Sequence, residues 1–165
     1  RYGRGAPIPA FASEDTAFRL RQRFGYVFAG QHGYPTIATL EVLGRLRLHA
    51  GFAVDWCQMP HGPSETTGFR FEADGKSIAY ATDYSAITDE MVDLYEGVDI
   101  LVSDCLRREP HPTHAHLAMA LELAERCKAG RLVLSHLDKS MDYTTLESET
   151  PEHVVVGYDG LELVA

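Results

Sequence analysis

The order of hydrophobic patterns along the chain predicts an α/β layered domain, and three observations carry that expectation. Short apolar runs broken by turn residues fill the first half as a meander. Two nearly continuous apolar runs, DILVS at 99–103 and RLVLS at 131–135, read as strands buried on both faces. Between those two lies an amphipathic helical stripe, which completes a strand, helix, strand unit.

The elements follow in order. APIPAFAS reads as a short extended segment, apolar at Ile8 and Phe11, and Ser13 starts a helix over 14–24 with Glu14 and Asp15 in its first turn. Glycines and aromatics over 25–35 fit neither period and predict a loop. Strands are expected over 37–43, 46–48, 52–59 and 67–72, with PHGPSE between the last two as turn chemistry. Asp74-Gly75 is a hairpin signal that leads into a strand over 77–82, ending at Asp83. Thr88 starts a short helix reaching Leu94, with Asp89 and Glu90 suiting its dipole. Leu117, Ala120, Leu121 and Ala124 share one stripe of a helix over 117–127, and Gly130 is the expected stop. A small helix over 143–148, a strand over 153–156, the turn Tyr158-Asp159-Gly160 and a last strand over 161–164 complete the reading.

Composition bounds the function. With 165 residues, 45% of them apolar, the chain has the makings of a core, which excludes disorder for most of its length. Twenty-four acidic against 15 basic residues give a net charge of −9, which argues against a nucleic-acid backbone as the main partner. Cys57, Cys105 and Cys127 form no CxxC pair, so neither a disulfide framework nor a cysteine zinc site is expected, and a reducing, cytoplasmic setting is. No apolar run approaches the roughly 18–20 residues of a membrane span, so no membrane partner is expected. The chain opens on RYGRGAPIPAF, without a methionine.

Polar residues just past apolar strands carry the chemistry to be weighed. His61 follows VDWCQMP, Asp83 follows SIAYAT, His111, Thr113, His114 and His116 follow ILVSDCLRRE, and His136 follows RLVLS. Imidazoles and a carboxylate converging at strand ends suit zinc, manganese or iron. An aspartate between two such sites can bridge two ions, with a water or hydroxide between them as nucleophile. Taken singly, each residue is more often a cap or a solvated side chain, and Asp83 could cap through Ser85 or Thr88. Three separate strands ending in ligand types weaken that bland reading.

His114 and His116 form an HxH that would share a face on a strand, but they precede a helix, so His116 is expected near its N-terminus. Ala118 and Met119 stand where an HxHxDH motif would need Asp and His. Arg107 and Arg108 could neutralise a phosphate, and a solvated pair is an equal reading. Cys105, beside Asp104, has no histidine paired to it locally and is expected to be packed.

RFGYVF, QMPHGPSETTGFRFE, SIAYATDYSAI, ILVSDCLRREPHPTHAHLAMALELAE, RLVLSHLDKSMDY and GYDGLEL, in that order, resemble the C-terminal two thirds of a metallo-β-lactamase-fold hydrolase. The branch they resemble is that of the phosphoribosyl cyclic phosphodiesterases. The resemblance implies an αββα sandwich within a single domain spanning 1–165, incomplete at its N-terminus. It implies His61, Asp83 and His136 as metal ligands, Asp83 bridging two divalent ions, zinc or manganese. His114 resembles the family histidine near the substrate phosphate, where it helps protonate the leaving group or holds the phosphate. The implied reaction is hydrolysis of a small cyclic or nucleotide-like phosphodiester by a metal-bridging hydroxide.

Two departures bear on this. The HxHxDH motif is missing, with no histidine before His32, and Lys139 stands where related phosphodiesterases often carry a second histidine. With three of the implied ligands, these 165 residues alone are expected to bind metal weakly or incompletely and not to turn over substrate, and apolar strand faces and edges are expected to swap, to associate with another chain, or to be covered by a further N-terminal segment. Two other readings stay open. One is an RNA-processing nuclease of the same fold, against which the acidic balance counts. The other is a non-catalytic binding domain that has lost its metals.

Overall fold

A computed structural model describes residues 5–31, 33–44, 47–49 and 51–164, so His32 and the start of the strand expected at 46 lie outside the described residues. The chain clusters into two compact units, Arg1–Arg45 and Leu46–Ala165.

The first unit is a strand, helix, strand motif: β1 (Ile8–Ala12), α1 (Glu14–Ala29) and β2 (Ala38–Val42). β1 and β2 pair in parallel, from Ile8 opposite Ala38 to Ala12 opposite Val42. Ser13 caps the helix as expected, its hydroxyl accepting from Thr16 N at 3.4 Å. The helix does not stop at Phe24, and the loop expected over 25–35 is helical as far as Ala29. Phe24 takes φ −128°, ψ 30°, a kink across which helical bonding resumes, and the glycine and aromatics beyond it hide the period. Gly30 ends the helix at φ 63°, where a Cβ would lie 2.9 Å from Tyr34 O.

The second unit is a seven-stranded sheet backed by helices. Its elements are β3 (Arg47–His49), β4 (Phe52–His61), β5 (Ser64–Ala73), β6 (Lys76–Ala81), α2 (Asp89–Tyr95), β7 (Ile100–Asp104), α3 (Leu117–Arg126), β8 (Arg131–Ser135), α4 (Tyr143–Glu149) and β9 (Val154–Val156). The strands lie in sequence order, β3 to β9. From β3 to β6 the pairs are antiparallel, and from β6 to β9 they are parallel, each parallel step crossing through a helix.

Turn chemistry sets the register. Asp74 and Gly75 have φ 52° and 73°, the two positive values a tight primed hairpin needs. PHGPSE is not a loop: β4 and β5 pair out to His61 opposite Ser64, leaving only Gly62-Pro63 to turn. α3 ends before Gly130. Lys128 takes the left-handed position at φ 55°, with Ala129 N on Ala124 O and Lys128 N on Glu125 O closing a Schellman motif. The strand expected over 161–164 does not form; Tyr158-Asp159-Gly160 turns, with Leu161 N on Tyr158 O, and the segment beyond makes no ladder.

The core lies under one face of the sheet. Along β6, Ser77, Ala79 and Ala81 are buried, whereas Ile78 and Tyr80 on the other face are 42% and 46% exposed. Cys57 and Met59 of β4 meet Met91 and Tyr95 of α2, and Leu101, Leu132 and Leu134 meet Ala120 and Leu123 of α3. Each fully buried leucine contributes about 1.5–3 kcal/mol. Gly68, opposite Cys57, is required here, because a Cβ would collide with the Tyr95 hydroxyl. All three cysteines are free and buried, Cys105 packed as expected, and burial pushes its thiol up to about 12. Among the described residues no helix is long and apolar enough to cross a membrane.

Candidate metal and phosphate site

β4, β6, β7 and β8 run in the same direction, so their C-terminal ends share one edge of the sheet. His61 is the last residue of β4, Asp104 the last of β7, Asp83 lies just past β6 and His136 just past β8. Ligands gather at this edge in open sheets because the loops leaving it diverge. His114 is delivered by the segment between β7 and α3, which folds back on itself: Leu106 N bonds Ala115 O, and Leu117 N bonds Arg107 O, both at 2.9 Å.

Asp83, His114 and His136 each offer a ligand atom within 4.8 Å of the others. His136 Nε2 lies 3.2 Å from Asp83 Oδ1, and His114 Nδ1 lies 3.5 Å from the same oxygen. His114 is central to four imidazoles, with ring centroids 4.8 Å from His61, 4.8 Å from His136 and 5.2 Å from His111.

Asp83 and His136 both have left-handed backbones, φ 61° and 60°. This conformation costs a residue with a Cβ about 1–2 kcal/mol, so the surroundings must hold it. Asp83 O accepts from Thr66 Oγ1 at 2.7 Å, Ser85 N bonds Pro60 O at 2.7 Å, and between them Tyr84 is fully buried with its hydroxyl 2.9 Å from Ser103 Oγ. On the other side, Cys105 N bonds Ser135 O and Asp138 N bonds Leu106 O, each at 2.9 Å, bracketing His136.

Tautomers follow from the partners. His61 Nδ1 is 2.6 Å from Thr113 O, a carbonyl that only accepts, so Nδ1 carries the proton and Nε2 keeps a lone pair. Gly62 makes this contact possible, since a Cβ there would meet Thr113 Cγ2 at 2.5 Å. His114 Nδ1 donates to Asp104 Oδ2 at 3.0 Å, and the same oxygen takes Ala115 N at 3.2 Å. His111 Nδ1 accepts from Thr113 N at 3.3 Å; desolvation, then the charge of Arg107, holds its pKa below the usual histidine value.

The residues fit a divalent cation. Asp83 Oδ1 is buried and has no hydrogen-bond partner, although His136 Nε2 is only 3.2 Å away: the two atoms are close but not aimed at each other. A buried carboxylate oxygen left in this way is costly unless a cation completes it. Imidazoles with a carboxylate are a borderline set suited to zinc or manganese.

The structure therefore brings together His61, Asp83, His114 and His136, with the tightest three-way group made by Asp83, His114 and His136. His116 is the N-cap residue of α3, as expected, and gives the helix no side-chain cap. Arg107 spends its guanidinium on Glu109 O at 3.2 Å and Pro110 O at 2.7 Å, and Arg108 pairs with Glu149 at 2.6 Å. Sequence reasoning passed over Asp104. Its signal was there: a carboxylate directly continuing DILVS, on a strand read as buried on both faces, needs a donor to be stable there.

The family model described as beta-lactamase superfamily domain matches residues 1–137. The chain is similar to a crystal structure of a diphosphatase from the PhnP family, at 30% identity and TM-score 0.83, covering 96% of this chain and 58% of that one. It is similar in fold to Zn2+-bound PqqB from Methylobacterium extorquens, at 19% identity and TM-score 0.74, covering 96% and 65%. It is likewise similar in fold to the short form of human tRNase Z, at 21% identity and TM-score 0.63, covering 94% and 65%. The chain thus spans 58% to 65% of the length of these structures. No curated protein matches it.

Proposed function

From a chain that belongs to the beta-lactamase superfamily and has the metallo-β-lactamase fold, as its motifs led one to expect, we propose a metal-dependent hydrolase of phosphodiesters, small and cyclic or nucleotide-like. The observation that carries this reading is the convergence of Asp83, His114 and His136 at strand ends, on a backbone held left-handed at two of the three. The similarity to a diphosphatase supports chemistry at phosphorus. The three free, buried thiols support a reducing compartment, the cytoplasm.

His61 Nε2, Asp83 and His136 Nε2 would hold divalent metal, with Asp83 as the carboxylate of the set. When bound, zinc or manganese there supplies Lewis acidity and a lowered pKa of water. His114 takes a different part. Because Asp104 engages Nδ1, the ring is fixed in orientation and its Nε2 is left to exchange a proton with the leaving oxygen. Arg107, beside the histidine group and anchored by two carbonyls, is the nearer cation for a phosphate, and Arg108 would have to exchange its Glu149 partner to serve as a second.

The test, run on the full-length protein that carries this chain, is release of p-nitrophenolate from bis(p-nitrophenyl) phosphate, and opening of a cyclic phosphate, as Zn2+ or Mn2+ is titrated in. Asp83→Ala should abolish both while circular dichroism stays unchanged. His114→Ala should lower turnover far more than bound metal. An equal fall in bound metal would make His114 a ligand, and stoichiometric metal binding without hydrolysis of either ester would end the reading.

A further inference from the structure

A groove of about 430 Å3 opens directly beside His136, between the end of β8 and the turn after β9. His136, Leu137, Gly157, Tyr158, Asp159 and Leu161 shape it. Gly157 is pinned to the sheet by its N–H on Leu134 O at 2.8 Å, and a Cβ there would sit 2.6 Å from that oxygen. Tyr158 and Asp159 therefore leave the sheet from a fixed point.

We infer that this groove receives the alcohol portion of the phosphodiester, and that it takes a nucleoside and not a second phosphate. The inference rests on the phosphodiester reading above. Three features of the groove select the ligand. Asp159 is its one fully charged side chain and neither lysine nor arginine lines it among the described residues, so a second phosphate would meet a carboxylate without a counter-charge. The same carboxylate is a pure acceptor, suited to the vicinal hydroxyls of a ribose. Tyr158 is 55% exposed and lines the groove, and Tyr143 lies against it T-shaped at 6.0 Å and 81°, not stacked parallel on it, so an exposed aromatic ring is offered to a base. Tyr143 is itself steadied by its hydroxyl on Glu147 at 2.9 Å. The volume lies within the usual range for small-molecule clefts.

Isothermal titration of the metal-loaded protein with inorganic phosphate, pyrophosphate, ribose 5-phosphate and adenosine 5′-monophosphate tests the assignment. Affinity should rise from phosphate to ribose 5-phosphate to the nucleotide, the base contributing about tenfold, and pyrophosphate should bind no tighter than phosphate. Tyr158→Ala should erase the tenfold gain from the base and leave phosphate unchanged, whereas Tyr158→Phe should keep it. Asp159→Asn should weaken ribose 5-phosphate and the nucleotide alike, by about fivefold. Phosphate binding with no gain from ribose or base, or pyrophosphate binding tightest, overturns this subsite while leaving the hydrolase reading intact. Failure of every phosphate ligand to bind overturns both.

Discussion

At the N-terminal ends of β6 and β7 both oxygens of the Asp99 carboxylate have partners, whereas at the C-terminal ends of the same strands Asp83 and Asp104 each keep one buried oxygen without a hydrogen bond. Asp99, just before β7, accepts from Ser77 N at 2.8 Å and Ser77 Oγ at 2.9 Å and lies 3.8 Å from Lys76 Nζ. Nearby, Arg70 bonds Leu94 O, Glu96 O and Glu72. At the opposite ends, Asp83 Oδ1 and Asp104 Oδ1 are buried without partners, and Asp83 and His136 hold strained backbone. Both ends bring acidic groups close to the sheet, so acidity alone does not mark a site. What separates them is satisfaction: one end uses its charges to close the fold, the other leaves Asp83 Oδ1 and Asp104 Oδ1 buried without hydrogen bonds.

Four substitutions sharpen or break that division. The largest effect belongs to Asp83→Gly, which removes the carboxylate and relieves the positive φ together. Hydrolysis should fall by about 10³-fold or more, while the melting temperature holds or rises, since the left-handed penalty of about 1–2 kcal/mol is lifted. A melting temperature that drops with activity would show that Asp83 holds the fold together.

Asp104→Asn comes next. It keeps an acceptor for His114 but loses the charge behind it, and single-turnover rates should fall about 10²-fold with metal content by mass spectrometry nearly unchanged. Gly62→Ala acts at one remove, by forcing Thr113 away and with it the carbonyl that orients His61. Metal affinity, read by competition with a chelating dye, should weaken about tenfold.

The smallest effect lies at the paired end and falls on stability alone. The bonds from Ser77 hold the Asp99 carboxyl below the usual carboxylate range. A depressed folded pKa contributes stability that is fully present above the unfolded value of about 3.9 and is lost as pH falls through the folded value. Asp99→Asn should therefore flatten the acid limb of a denaturation profile and leave hydrolysis at neutral pH untouched. Impaired hydrolysis in this variant would erase the contrast between the two ends.

Much of this was legible in the sequence where a local rule dominates. Asp74-Gly75 and the caps Ser13 and Thr88 each act through their own backbone, and each is where the pattern placed it. The strands leading to His61, Asp83 and His136 were readable for two reasons: β8 is an apolar run buried nearly throughout, and β6 alternates buried and exposed residues up to a sharp polar edge. Misreadings fall where a distant partner decides. The helix past Phe24 survives a glycine and a kink, with Val27 O taken by Ile37 N. Gly130 looked like a helix stop but serves close approach, since a Cβ there would lie 3.0 Å from Asp99 O. Asp104 could be marked from the sequence as a buried carboxylate in need of a donor, but its partner, His114 ten residues on, was not legible there.

The left-handed backbone at Asp83 and His136 also has an evolutionary reading. Glycine is the residue that conformation favours, with asparagine tolerated, and neither would disturb the strands behind. A copy of this fold released from its chemistry would relieve that backbone by drifting to glycine or asparagine at 83 and 136, losing the contact of the His136 ring with His114. Aspartate and histidine at those two positions are therefore choices the scaffold would not make for itself, and any descendant that has given up catalysis should betray it there before anywhere in its core.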